Sequence, residues 1–197
     1  LNSFEEYVFS KLGNKIKEVE SKSRRKVLNF GQGNPDFSPS KLYLDKFCEF
    51  IKDADSHLYP GFGANDQFSK ALINWYQKRF NVTLEKSELL PLTGAKDGVT
   101  HLPLVLLDVG DEVLVPNPGY PAFTDPTLII GGKVVYYDLL EENDFKISIS
   151  ELEKKVTNKT KFIWVNFPSN PTGQVATLKE LKNIVALAKK YQIIIVY

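Results

Sequence analysis

The segment KFIWVNFPSNPTG, residues 161–173, joins an apolar run to a polar turn rich in proline and glycine. Phe162, Ile163, Trp164 and Val165 form a short, nearly uninterrupted apolar stretch with β-branched and aromatic members, which reads as a buried strand. Ser169-Asn170-Pro171-Thr172-Gly173 then leaves its carboxyl end. In an open α/β sheet, ligands bind beyond the carboxyl ends of the strands. Asn170 offers both a donor and an acceptor there, while Pro171 and Gly173 restrict and turn the backbone around it. Taken alone, a plain Asn-Pro turn is an equally ordinary reading.

Outward from this stretch, similar runs recur at Glu112–Val115, Lys133–Tyr137 and Gln192–Val196, separated by helical or loop segments. Continuous apolar strands alternating with helices predict a parallel sheet covered on both faces. Two capping boxes are expected at the intervening helices, Ser150-x-x-Glu153 and Thr177-x-x-Glu180. The second leads into Leu178, Leu181, Ile184, Val185 and Ala188, a stripe suited to packing on the sheet. Towards the amino terminus, Phe4, Val8, Leu12, Ile16 and Val19 fall at helical spacing. Val27–Phe30 reads as a short strand, Leu42–Lys52 as a second helix, and Phe68, Leu72, Trp75 and Tyr76 as one face of a third. The class is α/β, with an N-terminal arm preceding a larger domain.

Composition narrows the function. The 197 residues are 43% hydrophobic and 25% charged with a net charge of +1, so no bulk field attracts nucleic acid or acidic lipid. The basic cluster Lys22, Arg24, Arg25 and Lys26 reads as a solvated helix end. The single cysteine, Cys48, excludes an internal disulfide, suits a reducing compartment and is expected to be half-buried. His57 and His101 have no metal-ligand spacing. No apolar run approaches the ~20 residues of a membrane span, and no signal sequence is visible, so a cytoplasmic location is expected. Leu1 is not an initiator and the sequence holds no Met, so the numbering is expected to begin within a longer product.

Two further loops have unusual composition. Thr93-Gly94-Ala95-Lys96-Asp97-Gly98 opens an apolar helix through Val99, Leu102, Val105 and Leu106. Small residues let an oxyanion approach the first backbone N–H groups, where the helix dipole favours negative charge. Lys96 could supply a point charge; an ordinary helix start is the alternative. Pro103 should remove one bond of this helix and kink it. Pro116-Asn117-Pro118-Gly119-Tyr120-Pro121 follows a strand directly, and its prolines fix where the Tyr120 ring points. That ring is either a platform for a flat heteroaromatic group or a core tyrosine. Together the three loops specify a phosphate cradle, a ring platform and a polar contact to a ring substituent.

These residues, in this order, resemble fold type I pyridoxal-phosphate enzymes, specifically the class I/II aminotransferases. The likeness covers nearly the whole chain. The stretch from Gly94-Ala95-Lys96-Asp97-Gly98-Val99 through His101-Leu102-Pro103-Leu104 to Pro116–Pro121 is similar to LL-diaminopimelate, aspartate and alanine aminotransferases, in which a proline at position 103 looks normal. The resemblance implies a three-layer α-β-α large domain over residues 46–197, preceded by a small-domain arm over 1–45. It implies pyridoxal 5'-phosphate as cofactor, with Gly94, Ala95 and Lys96 at its phosphate, Tyr120 stacked on its ring and Asn170 at its phenolic oxygen. Gly33, in Gly33-Asn34-Pro35-Asp36-Phe37, is implied beside the substrate carboxylate. Tyr59, in Leu58-Tyr59-Pro60, is implied to reach the partner's cofactor phosphate across a homodimer.

The implied reaction moves an amino group between an amino acid and a 2-oxo acid. No catalytic residue is expected within this chain. The aspartate at the pyridine nitrogen is expected directly after Tyr197, and the Schiff-base lysine and substrate arginine further on. The 197 residues alone should therefore be inactive. A carbon–sulfur lyase using the same cradle, and a non-enzymatic effector domain of a regulator, are the competing functions, since one fold serves many. A plain dinucleotide-binding domain lacks its Gly-x-Gly-x-x-Gly after a strand.

Overall fold

The computed structural model describes residues 6–31, 33, 35–59, 61–63 and 65–197. Phe4, Asn34 and Pro60, which enter the readings above, lie outside the described residues. The chain forms two compact units, residues 1–90 and 91–197.

The first unit is helical: α1 (Val8–Ser23), α2 (Lys41–Ile51) and α3 (Asp66–Phe80). Ser40 caps α2 by accepting the Tyr43 N–H, and Asn65 caps α3 by accepting the Phe68 N–H. These are side chains that compete for free amides at a helix start. Asn81 ends α3 in the left-handed region. Trp75 meets Tyr76 and Phe80 edge-on, at 5.2 and 5.1 Å between centroids.

Two expectations fail in this unit. Val27–Phe30 is irregular, because among the described residues no strand pairs with it, and local β-propensity alone makes no ladder. Its backbone is tied locally instead, with the Val27 N–H donating to Glu20 Oε1 at 2.9 Å. Cys48 is exposed rather than half-buried, since α2 buries none of its residues.

The second unit is a four-stranded sheet in the order β2-β1-β3-β4, with every pairing parallel. The strands are β1 (Glu112–Asn117), β2 (Lys133–Asp138), β3 (Thr160–Trp164) and β4 (Ile194–Val196). α4 (Ala95–Leu106) precedes β1, and α5 (Asp125–Ile129), α6 (Ile149–Lys154) and α7 (Leu178–Tyr191) make the crossovers. Successive side chains of a strand point to opposite faces, so each central strand feeds two cores. Val113, Val115, Phe123, Phe162 and Trp164 form one, packed by Val99, Leu102 and Leu106 of α4. Leu114, Ile163 and Val165 join Leu152 of α6 and Ile184, Leu187 and Ala188 of α7 in the other. Both faces of the sheet are thus covered, the three-layer α-β-α arrangement.

The Thr177–Glu180 capping box forms in both directions at the start of α7. The one placed at Ser150 does not: Ser148 is the cap residue of α6, with no side-chain cap bond, and Ser150 already lies inside the helix. Glu153 instead accepts from Lys190 and Tyr191 of α7, at 2.7 and 2.8 Å. β4 begins two residues later than expected, because Gln192 is taken up as the left-handed cap of α7. Pro103 lies buried inside α4, which continues to Leu106, and its carbonyl accepts the Leu107 N–H.

Candidate functional site

Strand order fixes where a ligand can sit. The chain leaves β1 for β2 on one side, and after β2 returns past β1 to β3 on the other. The carboxyl ends of β1 and β3 therefore flank a topological switch point, the crevice where open α/β sheets bind ligands. The Tyr120 loop leaves β1 at this edge and the Asn170 turn leaves β3 there. α4 runs into β1 through a short connection at the opposite edge, so its amino terminus also points towards the crevice.

Gly94 caps α4 with φ 87° and ψ 155°, a backbone conformation open essentially only to glycine. It has no side chain to cap the helix, and a Cβ placed there would meet nothing within 4 Å. The first turn of α4 thus presents backbone amides and the positive end of the dipole to an open space. Ala95 and Lys96 follow on the exposed surface. Asp97 is also engaged at this helix start: its carboxylate accepts the Thr93 N–H at 3.1 Å and contacts His101 Nδ1 at 2.8 Å.

Tyr120 is half-buried and held from behind. Its ring meets Phe123 edge-on (5.6 Å, 81°), and Phe123 stacks on Trp164 of β3 (4.7 Å, 17°). The loop is pinned where it starts. The Asn117 carbonyl accepts the Leu139 N–H at 2.7 Å, and Asn117 Nδ2 donates to Asp138 Oδ1 at 3.0 Å. Gly119 is required by close approach, since a Cβ there would stand 2.3 Å from the Pro116 carbonyl oxygen.

Asn170 sits on an exposed turn closed by two backbone bonds, Ser169 N–H to Gln174 O (2.8 Å) and Gly173 N–H to Ser169 O (2.7 Å). Its own N–H donates to Asn166 Oδ1 at 3.0 Å. Gly173, at φ 72°, supplies the left-handed residue that the turn needs. Beneath it, the Tyr137 hydroxyl donates to the Trp164 carbonyl at 2.6 Å, and burial raises the pKa of that hydroxyl well above its ordinary 10.0.

The second unit therefore brings Gly94, Ala95, Lys96, Tyr120 and Asn170 to one edge of its sheet. Gly33 and Tyr59 belong to the first unit, where both are exposed; the Tyr59 ring is fully so. Sequence reasoning missed the supports: Phe123 and Trp164 behind Tyr120, Asn166 and Gln174 around Asn170. Only Asn166 carried a signal, as the first polar residue after the apolar run. Among the described residues no cluster of three or more His, Cys, Asp or Glu could hold a metal ion, and no helix is long and apolar enough to cross a membrane.

The second unit is thus an α/β sheet with a glycine-opened helix start, a braced aromatic ring and a polar turn leaving it near its switch point. The profile of the aminotransferase class I and II family matches residues 25–197, and the chain belongs to that family. An LL-diaminopimelate aminotransferase of Dehalococcoides mccartyi is 36% identical over 95% of this chain and 48% of its own length. One from Aquifex aeolicus is 34% identical over 96% and 49%. Among solved structures, alanine aminotransferase from Pyrococcus furiosus superposes with a TM-score of 0.88 at 31% identity, covering 96% of this chain and 49% of that one. Aspartate aminotransferase from Rhizobium meliloti shares the fold, with a TM-score of 0.91 at 22% identity over 98% and 48%. The chain spans about half the length of the curated relatives it matches.

Proposed function

We propose that the full-length protein transfers an amino group between an amino acid and a 2-oxo acid with pyridoxal 5'-phosphate as cofactor. The observation that carries this reading is the gathering of the α4 amino terminus, the Tyr120 loop and the Asn170 turn at the switch point between β1 and β3. The donor set fits the cofactor. The amides opened by Gly94 suit a phosphate, Tyr120 offers a flat, braced ring, and the Asn170 carboxamide can donate to a ring oxygen. When bound, the cofactor supplies an electron sink for charge that develops at the substrate's α-carbon.

This chain's residues bind and orient. Gly94, Ala95 and Lys96 hold the phosphate and so fix the distance of the ring from the helix. Tyr120 sets the plane of the ring, and Asn170 its rotation within that plane. Gly33 is proposed at the substrate carboxylate. Tyr59 is proposed to reach the cofactor phosphate of a second subunit, which makes the assembly a homodimer. Residues 1–45 are proposed to join a small domain and 46–197 a large one.

The test uses full-length protein, pyridoxal 5'-phosphate and 2-oxoglutarate with a panel of amino donors that begins with LL-diaminopimelate, aspartate and alanine. Glutamate formation is expected. Release of pyruvate and ammonia without amino transfer would move the protein to the eliminating enzymes. Absence of cofactor binding would refute the reading.

A further inference from the structure

Gln174 follows the turn that carries Asn170 and ties it to a different part of the fold. Its Nε2 donates to the Asp144 carbonyl at 2.6 Å, across thirty residues of sequence. Its Oε1 accepts the Val175 N–H at 3.1 Å. A carbonyl can only accept and an amide N–H can only donate, so the two contacts together fix which way the carboxamide points. The Gln174 main chain also closes the turn, its carbonyl accepting the Ser169 N–H and its N–H donating to Thr172 Oγ1 at 3.3 Å.

The segment at the other end of this tie is itself rigidly set. Asp144 and Phe145 are consecutive left-handed residues, at φ 50° and 54°. Their N–H groups donate to the Glu141 and Leu140 carbonyls, both at 2.9 Å, and Phe145 packs against the core shared by α6 and α7. Between the two loops lies a cavity of about 370 Å³ lined by Glu141, Asp144, Phe145, Thr172, Gly173 and Gln174. With open space on this side, the Asn170 turn is tied to the core there through Gln174, Asp144 and Phe145, in addition to its Asn166 bond and the buried Ser169.

We infer that Gln174 is a positioning residue: by donating to Asp144 it holds the Asn170 carboxamide at the height where it meets the cofactor's ring oxygen. The inference rests on the cofactor reading above. Gln174 touches neither cofactor nor substrate; it acts through Asn170.

The experiment compares full-length wild type with Gln174→Met, Gln174→Lys, Asn170→Ala and the Asn170→Ala/Gln174→Met double variant. Met keeps the length and loses the donor, whereas Lys keeps a donor that can reach the Asp144 carbonyl. The readouts are pyridoxal 5'-phosphate affinity, the pH midpoint of the bound cofactor's colour change, and hydrogen exchange at the Ser169 and Gly173 amides. Loss of one bond should weaken affinity about two- to tenfold in Gln174→Met. The colour midpoint should move upward, as in Asn170→Ala, because a donor near an anionic oxygen favours its charged form. Exchange at Ser169 and Gly173 should accelerate, the double variant should shift no further than Asn170→Ala alone, and Gln174→Lys should return each readout towards wild type. The inference is overturned if Asn170→Ala shifts the midpoint while Gln174→Met leaves it in place. It is equally overturned if Gln174→Lys, folded, behaves as Gln174→Met does. Wild type that binds no cofactor overturns the cofactor reading and the positioning role with it, a failure distinct from the other two.

Discussion

Gly119→Ala is the sharpest perturbation the Tyr120 loop offers. The added Cβ would stand 2.3 Å from the Pro116 carbonyl oxygen, 3.0 Å from Pro116 Cγ and 3.2 Å from the Pro116 carbonyl carbon. Ordinary contact begins near 3.4 Å, so the loop must move by about 1 Å. Pro116 cannot yield, since it is buried in β1 and in register with Tyr137 of β2. The displacement therefore passes to the next residue, Tyr120. Misplacing a reacting or orienting group by about 1 Å costs on the order of 10²-fold in rate, or about 2.7 kcal/mol of transition-state stabilisation. Overpacking should also cost about 1–3 kcal/mol of stability. Gly110→Ala separates the two effects. Gly110 has φ 88° in open space, in the turn that enters β1 at the far edge of the sheet. Its substitution should cost about 1–2 kcal/mol of stability and leave turnover as in wild type. The assay is kcat/KM for amino transfer by full-length protein, beside thermal unfolding. If Gly119→Ala melts lower yet keeps kcat/KM within about threefold of wild type, the claim that this glycine sets the Tyr120 platform is wrong.

Other consequences are simpler to read. Gly94→Ala forces a side chain into a glycine-only conformation at a strain of about 1–3 kcal/mol, so cofactor titration should show affinity falling about tenfold, and unchanged affinity would refute the cradle. Thr177→Ala removes the reciprocal cap of α7 and should lower stability by about 1 kcal/mol, read as a lower unfolding midpoint in urea. Glu153 is held below its ordinary 4.5, first by donation from Lys190 and then from Tyr191. A carboxyl depressed in the folded state stabilises above its unfolded value and loses that contribution as pH falls through the folded one. Glu153→Gln should therefore be less stable than wild type at neutral pH and converge with it below pH 4.5; an equal gap at both pH values would refute the pairing.

What was legible in the sequence was what one residue's neighbours along the chain determine. β1 and β3 are apolar on both faces, so their near-continuous hydrophobic runs announced them. The loops holding Gly94, Tyr120 and Asn170 stood out because proline, glycine and asparagine mark backbone that cannot continue a helix or ladder. Val27–Phe30 misled for the converse reason, since its residues suit a strand but a strand needs a partner. Ser150 misled because α6 starts two residues earlier, with Ser148 as its cap residue, and Glu153 is claimed by α7. Phe123, Trp164 and Gln174 were invisible as site residues. Their roles depend on which strands are neighbours, and a contact such as Gln174 to Asp144 spans thirty residues with no local pattern to betray it.

The candidate site is therefore a property of strand order more than of any motif. α4 and α5 lie on one face of the sheet and α6 and α7 on the other, so the chain segments leaving β1 and β3 diverge to opposite faces. On the proposed cofactor reading, each contributor would answer a different requirement of the same ligand. The start of α4 would meet its charge with backbone amides. Tyr120 would meet its flat face, backed by Phe123 and Trp164. Asn170 would meet one polar substituent, on a turn tied through Asn166 and Gln174. The pairing of β1 with β3 fixes the separation of the two loops that leave them.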